Sequence, residues 1–315
     1  MTFAFLFPGQ GSQTVGMGRQ LSDTYPEAAR VFEEADAALG FPLSTLCFEG
    51  PEDQLRLTEN TQPAILTASV AALRVLESKG IRANFAAGHS LGEYSAHVAA
   101  GTLSFADAVR TVRNRGRYMQ EAVPPGEGAM AAILGMPSDN VADVCAMAAH
   151  ETNAVVSPAN LNSPDQIVIS GAKPAVERAA ELAKSRGAKR AVMLPVSAPF
   201  HCILMQPAQD RLANDLEALT WNAPQFPVVA NVDGELITGG SAAREALVNQ
   251  VTAPVRWITS MRNLIAQNVT HYIEVGPGKV LCGLMRQIDR SQTCLNVEDN
   301  ASLEKTLTAL NQSSQ

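Results

Sequence analysis

The chain has 315 residues, of which 46% are hydrophobic and 17% charged, and its formal net charge is −7. This composition is typical of a folded globular protein and excludes a disordered chain, while the acidic balance argues against a general nucleic-acid binder. No apolar run approaches the roughly 18 residues that a membrane helix needs, so we expect no membrane partner. The N-terminus lacks the basic flank of a signal peptide, which predicts a cytoplasmic protein.

The cysteines are scattered and none of them forms a C-x-x-C pair. This spacing predicts reduced thiols in a reducing compartment and indicates no metal site. The five positions are Cys47, Cys145, Cys202, Cys282 and Cys294.

Predicted strands and helices alternate along the first part of the chain. A strand over Phe3–Phe7 precedes a glycine-rich polar loop, Pro8 to Gln13, which is too polar for a protein core. A second strand covers residues 85–87. Apolar periodicity predicts helices over about 25–39, from Thr61 as N-cap to Gly80, over 91–100, and from about 105 past 119.

The pattern changes at Pro124-Pro125-Gly126-Glu127-Gly128, which is typical of a domain boundary. Residues 126–195 then follow the order β-α-β-β-α-β of a ferredoxin-like unit. We therefore predict a ferredoxin-like subdomain over 126–195, inserted into a core that is formed by 1–125 and 196–315.

Beyond residue 195 the alternation of helices and strands resumes. Such alternation predicts an α/β core with a mainly parallel sheet and helices on both faces. The predicted helices are about 202–218, two that flank 252–254, one ending near 288 and one from 302, and the predicted strands are 228–232, 272–275 and about 294–297.

Gly88-His89-Ser90-Leu91-Gly92 fits G-x-S-x-G, the sharp strand-to-helix turn that exposes a serine nucleophile. Its surroundings agree, because a short apolar segment precedes it and a helical segment follows. The helix would direct its free N–H groups at the place where negative charge develops during acyl transfer. The pattern also arises by chance in loops rich in glycine and serine, so it indicates a nucleophile without proving one.

A serine nucleophile needs a base, and His201 has the most favourable position. It follows a strand, precedes a helix and comes after Ser90 in the chain, as in α/β-hydrolases. The alternative is a surface histidine that caps a helix. No Asp or Glu between them has a clear turn position, so we predict a dyad whose histidine is oriented by a backbone carbonyl or an amide.

An oxyanion hole needs two N–H donors, and the residue after the nucleophile, Leu91, supplies one. Gln10, between two glycines in the first loop, is the obvious second donor. Arg115 lies on a helix next to Gly116, and its planar guanidinium suits a carboxylate substituent. The other interpretation of Arg115 is a solvated helix face.

Together these residues resemble the malonyl-CoA:acyl carrier protein transacylase family over nearly the whole chain. The segments that carry the resemblance are Phe7–Gln13, Thr61–Ala64, Gly88–Tyr94, Arg115-Gly116 with Met119-Gln120, Asn160–Pro164, His201 with Leu204-Met205, and Glu274–Gly278.

The resemblance implies an α/β-hydrolase-like core with an inserted ferredoxin-like subdomain. It also implies transfer of malonyl from malonyl-CoA to the phosphopantetheine thiol of an acyl carrier protein, through a malonyl-serine intermediate in a ping-pong reaction that supplies fatty acid synthesis. Malonyl-CoA is then a substrate, so neither a cofactor nor a metal is expected, and we expect a monomer.

The resemblance assigns roles to the site residues. Ser90 would be the nucleophile, His201 its base, and Arg115 the partner of the malonyl carboxylate. The remaining roles are oxyanion-hole N–H groups at Gln10 and Leu91, a histidine-orienting carbonyl at Gln250, and substrate-binding side chains at Asn160, Asn162 and Phe200.

Two positions depart from the family pattern. Phe200 stands where the family often has serine, which resembles the malonyl-selecting form of related domains, and Gln206 replaces a frequent lysine. An acidic carrier protein would need a basic docking patch on this acidic chain, and Lys189-Arg190 is a candidate.

Other interpretations share these motifs. A serine esterase would hydrolyse its acyl-enzyme, whereas a transferase keeps the acyl group until a thiol arrives. A malonyl-transfer subunit of a malonate decarboxylase, or an acyltransferase for a polyketide line, differs in its carrier protein. A docking module without activity would need no intact Ser90 and His201.

Overall fold

The structure is a computed structural model that describes residues 1–196 and 198–313. Its strands overlap the segments that apolar runs predict, except for a two-residue strand at Leu236–Ile237 that no apolar run predicts. In chain order they are β1 (Phe3–Phe7), β2 (Phe85–Gly88), β3 (Gly128–Leu134), β4 (Val156–Ser163), β5 (Gln166–Ala172), β6 (Arg190–Met193), β7 (Val228–Val229), β8 (Leu236–Ile237), β9 (His271–Val275) and β10 (Thr293–Val297).

Helices occupy most of the remaining chain, and a short 3-10 turn spans Ile203–Met205. They are α1 (Arg19–Thr24), α2 (Pro26–Leu39), α3 (Leu43–Glu49), α4 (Glu52–Leu55), α5 (Thr58–Ser78), α6 (Gly92–Ala99), α7 (Phe105–Glu121), α8 (Ser138–Thr152), α9 (Lys173–Ser185), α10 (Gln206–Glu217), α11 (Gly240–Asn249), α12 (Trp257–Ala266), α13 (Val280–Ile288) and α14 (Asn300–Ser313).

One six-stranded sheet, in the order β10-β9-β1-β2-β7-β8, forms the centre of the core. All neighbouring pairs are parallel except β7 with β8. Helices cover both faces of this sheet in separate apolar clusters, so the predicted α/β class with a mainly parallel sheet is confirmed. Phe7 at the end of β1 is in register with Gly88 at the end of β2. The loops that follow these strands therefore emerge side by side.

A second sheet, in the order β4-β5-β3-β6, is wholly antiparallel. With α8 and α9 on one face it has the β-α-β-β-α-β order of a ferredoxin-like unit and an apolar cluster of its own. Val255 of the core exchanges backbone hydrogen bonds with Ala159 and Leu161 of β4, at 2.8 and 2.9 Å. The predicted boundaries at 125/126 and 195/196 stay a prediction.

The start of α5 differs from the prediction. The helix begins at Thr58, with Leu57 as N-cap, and Pro63 lies inside it. The Thr61 hydroxyl donates to the carbonyl of Leu55 at 2.6 Å, so it does not cap the helix. The predicted N-cap at Thr61 and the predicted first-turn position of Pro63 are therefore wrong, because the Thr61 hydroxyl binds the end of the preceding short helix and the new helix has already begun at Thr58.

The cysteine prediction is wrong for one pair. Cys282 of α13 and Cys294 of β10 form a disulfide with their Cα atoms 5.4 Å apart. The pairing arises because α13 returns alongside β10, a contact that their scattered sequence spacing does not reveal. Cys47, Cys145 and Cys202 are free and buried, as expected of reduced thiols.

The described residues contain neither a candidate membrane helix nor a candidate metal cluster. No helix in residues 1–196 and 198–313 combines the length and apolar character required to span a bilayer. Across the same residues, no cluster of three or more His, Cys, Asp or Glu side chains is arranged to hold a metal ion. The expectation that no metal takes part therefore remains a prediction from the sequence.

Candidate active site

Ser90 lies at the tip of the turn between β2 and α6, with a left-handed φ of 52°. Non-glycine residues seldom adopt this conformation, and it is typical of a strained functional turn. A Cβ on Gly88 would overlap the backbone of Gly92, and one on Gly92 would overlap the carbonyl of Phe7. Glycine is therefore required on both sides of the serine, because the strand, the turn and the helix pass too close for side chains.

His201 faces this serine, with its Nε2 2.8 Å from Ser90 Oγ. Its Nδ1 lies 2.9 Å from the carbonyl oxygen of Gln250 and 3.2 Å from that of Ala253. Because carbonyl oxygens only accept, Nδ1 carries the ring proton and Nε2 presents its lone pair to the serine hydroxyl. The structure thus has a dyad with carbonyls where a triad would have a carboxylate.

The protonation state of His201 follows from its surroundings. Burial, aided by the nearby Arg115 charge, lowers the pKa of His201 to about 3. The imidazole is therefore neutral at pH 7, as a general base must be before it accepts a proton.

The Arg115 side chain is buried, with 1% of its surface exposed, so the alternative interpretation of a solvated helix face is wrong. At Gly116, α7 passes so close to α5 that a Cβ would lie 2.6 Å from the Thr58 carbonyl oxygen. Only glycine fits there, and its lack of a side chain allows the two helices to approach. The guanidinium donates to three neutral oxygens, which are Gln62 Oε1 at 2.8 Å, Gln250 Oε1 at 2.9 Å and Ser90 Oγ at 3.1 Å. No carboxylate of the described residues forms a salt bridge with it. Its charge is thus available to an anion beside Ser90.

The predicted oxyanion-hole residues share one cavity with Ser90. Within residues 1–196 and 198–313, the backbone N–H groups of Gln10 and Leu91 donate to no protein acceptor. Free donors beside a nucleophile are what a developing oxyanion requires. The parallel register of β1 and β2 brings the two loops together.

The cavity over Ser90 lies between the core and the antiparallel unit, and apolar side chains form much of its wall. Phe200 and Asn160 both line it, as the resemblance implies. Asn162 does not reach it and instead lines an adjoining cavity, where its Oδ1 is 2.8 Å from Nε2 of His89. The apolar residues around Ser90 are Met119, Met130, Leu194, Val196 and Phe200.

Two polar residues at the site escaped the sequence reasoning. Asn231 Oδ1 accepts the N–H of Ser90 at 2.7 Å, and its Nδ2 donates to the carbonyl of Gly88 at 2.7 Å, so it clamps the elbow. Gln62 supports Arg115. The available signals were an amide, Asn231, just beyond the carboxyl end of the apolar β7, where ligands of a parallel sheet gather, and a glutamine in an apolar helix.

Comparison with known proteins now identifies the family. The acyl transferase domain family matches residues 4–308. A malonyl CoA-acyl carrier protein transacylase of Escherichia coli strain K12 is 53% identical over 306 residues, covering 97% of this chain and 98% of that protein. The chain belongs to the malonyl-CoA:acyl carrier protein transacylase family.

Solved structures of this transacylase family agree with that assignment. The malonyl CoA-acyl carrier protein transacylase of Coxiella burnetii is 45% identical with a TM-score of 0.95, over 98% of this chain and 97% of that one. A malonyl-transacylase in complex with its type II PKS acyl-carrier protein is 47% identical with a TM-score of 0.95, over 98% of this chain and 100% of that one.

Proposed function

We propose that this protein transfers the malonyl group from malonyl-CoA to the phosphopantetheine thiol of an acyl carrier protein, through a malonyl ester on Ser90. The observation that carries the proposal is the buried guanidinium of Arg115, which forms no salt bridge within the described residues and lies 3.1 Å from the hydroxyl oxygen of Ser90. A malonyl group on that oxygen brings its own carboxylate into this region.

The first half of the reaction acylates the serine. Ser90 Oγ attacks the thioester carbonyl carbon while its proton passes to Nε2 of His201, across the 2.8 Å contact. The carbonyl oxygen becomes an oxyanion that the N–H groups of Gln10 and Leu91 can hold. The carbon–sulfur bond then breaks, and the coenzyme A thiolate takes the proton from His201.

The second half reverses these steps with another thiol. The carrier's phosphopantetheine thiol gives its proton to His201 Nε2, and the thiolate attacks the ester carbonyl. Ser90 Oγ leaves and recovers the proton, which restores the free enzyme. Because coenzyme A departs before the carrier reacts, the kinetics are ping-pong.

Arg115 provides the selectivity for malonyl. Two parallel N–H donors match a carboxylate in a bidentate pair, and such charge-assisted bonds are strong when the site is shielded from water. An acetyl group has no carboxylate and gains nothing from this pair. The apolar wall around Ser90 limits water near the ester, which favours transfer over hydrolysis.

The family supports a proposal for the carrier and the cellular setting. The relatives are named as transacylases of malonyl-CoA and an acyl carrier protein, and one of them is bound to a type II PKS acyl-carrier protein. We propose supply of malonyl to fatty acid synthesis by a cytoplasmic monomer without cofactor. Lys189 and Arg190 are exposed at the start of β6 and remain the candidate basic contact for an acidic carrier.

Intact mass spectrometry tests the proposal. The protein incubated with malonyl-CoA should gain the mass of one malonyl group, the Ser90→Ala variant should gain none, and holo carrier protein should discharge the ester. Acylation of Ser90→Ala would move the nucleophile elsewhere. Loss of the ester in buffer as fast as with thiol would instead indicate an esterase.

A further inference from the structure

Glu93 is a fully buried carboxylate three residues after the nucleophile, on α6. Its Oε2 accepts the Nε2–H of Gln250 at 2.7 Å and the backbone N–H of Asn231 at 3.0 Å. Its Oε1 has no hydrogen-bond partner among the described residues. Burying a carboxylate without a paired cation costs desolvation free energy and so lowers the stability of the fold. The reaction proposed above gives Glu93 no role that would explain this cost.

The bond from Glu93 determines how the Gln250 side chain is oriented. An ionised carboxylate only accepts, so the amide nitrogen of Gln250 must face Glu93 and its amide oxygen must face away. That oxygen accepts from Arg115 Nη2 at 2.9 Å, while the second N–H of the amide donates to the Ser90 carbonyl at 2.9 Å. With the amide reversed, its NH₂ group would face the donors of Arg115.

Through Gln250 and Asn231, Glu93 also connects to His201 and Ser90. The backbone carbonyl of Gln250 holds Nδ1 of His201, and Asn231, held by Glu93 through its N–H, fixes the backbone N–H of Ser90. One carboxylate oxygen therefore anchors the supports of the nucleophile, the base and the guanidinium.

We propose that Glu93 is the positioning residue of this active site, which holds Ser90, His201 and Arg115 in register through Gln250 and Asn231. The positioning of Ser90 and His201 should affect the reaction with any acyl donor. The positioning of Arg115 should affect malonyl only, and this half of the inference rests on the proposed malonyl transfer.

The charge on Glu93 has a second consequence. Burial raises the pKa of Glu93 to about 7, against the opposing hydrogen bonds from Gln250 and Asn231 and the Arg115 charge. Across pH 6 to 8 the carboxyl ionises. Its negative charge then lies behind Gln250, near the Arg115 guanidinium that would bind the malonyl carboxylate. Like charges repel, so malonyl binding weakens relative to acetyl binding as the pH rises.

The other groups that face Glu93 are His97 on the same helix, Arg115 on α7 and Asp233 after β7. Nε2 of His97 is 4.0 Å from Oε1, and burial lowers the pKa of His97 to about 3, so it stays neutral over this range. His201 stays neutral for the same reason. Neither histidine therefore accounts for a change between pH 6 and 8, which we assign to Glu93 and test with Glu93→Gln below.

Single-turnover acylation of Ser90 tests the inference, with malonyl-CoA, acetyl-CoA and p-nitrophenyl acetate as donors. The measured quantity is the rate constant, which does not depend on the fraction of active protein. Glu93→Leu, which removes the acceptor, should lower it about 100-fold with all three donors, because catalytic groups misplaced by 1 Å can lose this much. Glu93→Gln keeps an acceptor oxygen and should stay within about threefold of wild type.

The pH profile separates positioning from simple support of the fold. The acylation rate constants with malonyl-CoA and acetyl-CoA are measured below saturating concentrations. In the wild type their ratio should fall roughly three- to tenfold from pH 6 to 8, because ionised Glu93 repels the malonyl carboxylate across the protein interior. In Glu93→Gln the ratio should be constant. Ser95→Ala, which removes a buried unpartnered hydroxyl from the same helix, should behave as the wild type.

Three outcomes would overturn the inference. These are a wild-type rate in Glu93→Leu, a wild-type ratio that does not change with pH, and an equally falling ratio in Glu93→Gln. If Glu93→Leu does not fold, the pH comparison alone decides. If the wild type accepts no malonyl, the proposed function fails, while p-nitrophenyl acetate still reports on Glu93.

Discussion

Replacing Arg115 with alanine should separate malonyl transfer from acetyl transfer. In the structure the guanidinium is buried beside Ser90, and its hydrogen bonds go to neutral oxygens rather than to a carboxylate of the described chain. Under the proposed function a malonyl carboxylate balances its charge, so the alanine variant should leave that carboxylate desolvated and unpaired.

The magnitude follows from the contacts. Removing one partner of a desolvated charge pair costs about 2–5 kcal/mol, which corresponds to roughly 30- to 4,000-fold in kcat/KM. In the variant the amide oxygens of Gln62 and Gln250 each lose a hydrogen bond from Arg115, at about 1–3 kcal/mol for each unsatisfied oxygen. This loss is the same with malonyl-CoA and with acetyl-CoA, so it cancels in the ratio of their kcat/KM values. We expect the malonyl-to-acetyl ratio of kcat/KM to fall by this same factor, roughly 30- to 4,000-fold.

The assay measures kcat/KM for malonyl-CoA and acetyl-CoA in parallel with the same carrier protein. Arg115→Lys should lie between wild type and alanine, because lysine keeps the charge but loses the planar fork. Arg117→Ala is the matched control, since Arg117 is exposed on the same helix, and it should leave the ratio unchanged. Equal losses with both donors in Arg115→Ala would refute the reasoning and show that Arg115 supports the fold.

Two further measurements follow from the structure. Phe200 lines the cavity, so Phe200→Ser should reduce the preference for malonyl-CoA over methylmalonyl-CoA by roughly 10- to 200-fold in kcat/KM, the range for one methyl group in an apolar pocket. An unchanged preference would mean that Phe200 only packs. The lowered pKa of His97, about 3 in the fold against 6.5, means that the unfolded chain binds the proton first as the pH falls. The stability that neutral His97 contributes is complete above pH 6.5 and is lost towards pH 3, by about 2–3 kcal/mol at pH 4.5. His97→Leu should remove that loss from the difference between urea unfolding free energies at pH 7 and 4.5, and an equal loss in both proteins would contradict this.

The elements of this fold that could be predicted are those with a local cause. Apolar runs bounded by glycine and proline predicted β1, β2 and the β-α-β-β-α-β unit, because burial of a strand depends mainly on its own side chains. The strand β8, with two residues, has no such signal. The start of α5 was misjudged because a neighbouring helix accepts the Thr61 hydroxyl, a contact between separate segments.

The site divides in the same way. Gly88-His89-Ser90-Leu91-Gly92 determines its own turn, since the glycines are required by contacts within a few residues and with the adjacent strand. The order of Ser90 and His201 and the absence of a well-placed acid between them predicted a dyad. The sequence by itself thus determined the α/β class, the elbow, the resemblance to the transacylase family and the site residues that this resemblance implies.

Only the tertiary structure decided what each side chain faces. The burial of Arg115 depends on the close approach of α5 and α7, and the orientation of Gln250 depends on a carboxylate 157 positions away in the chain. The pairing of Cys282 with Cys294 depends on the return of α13 along β10. Hydrogen bonds and pKa values respond to distances of a few ångströms, and those distances are set by how remote segments pack together.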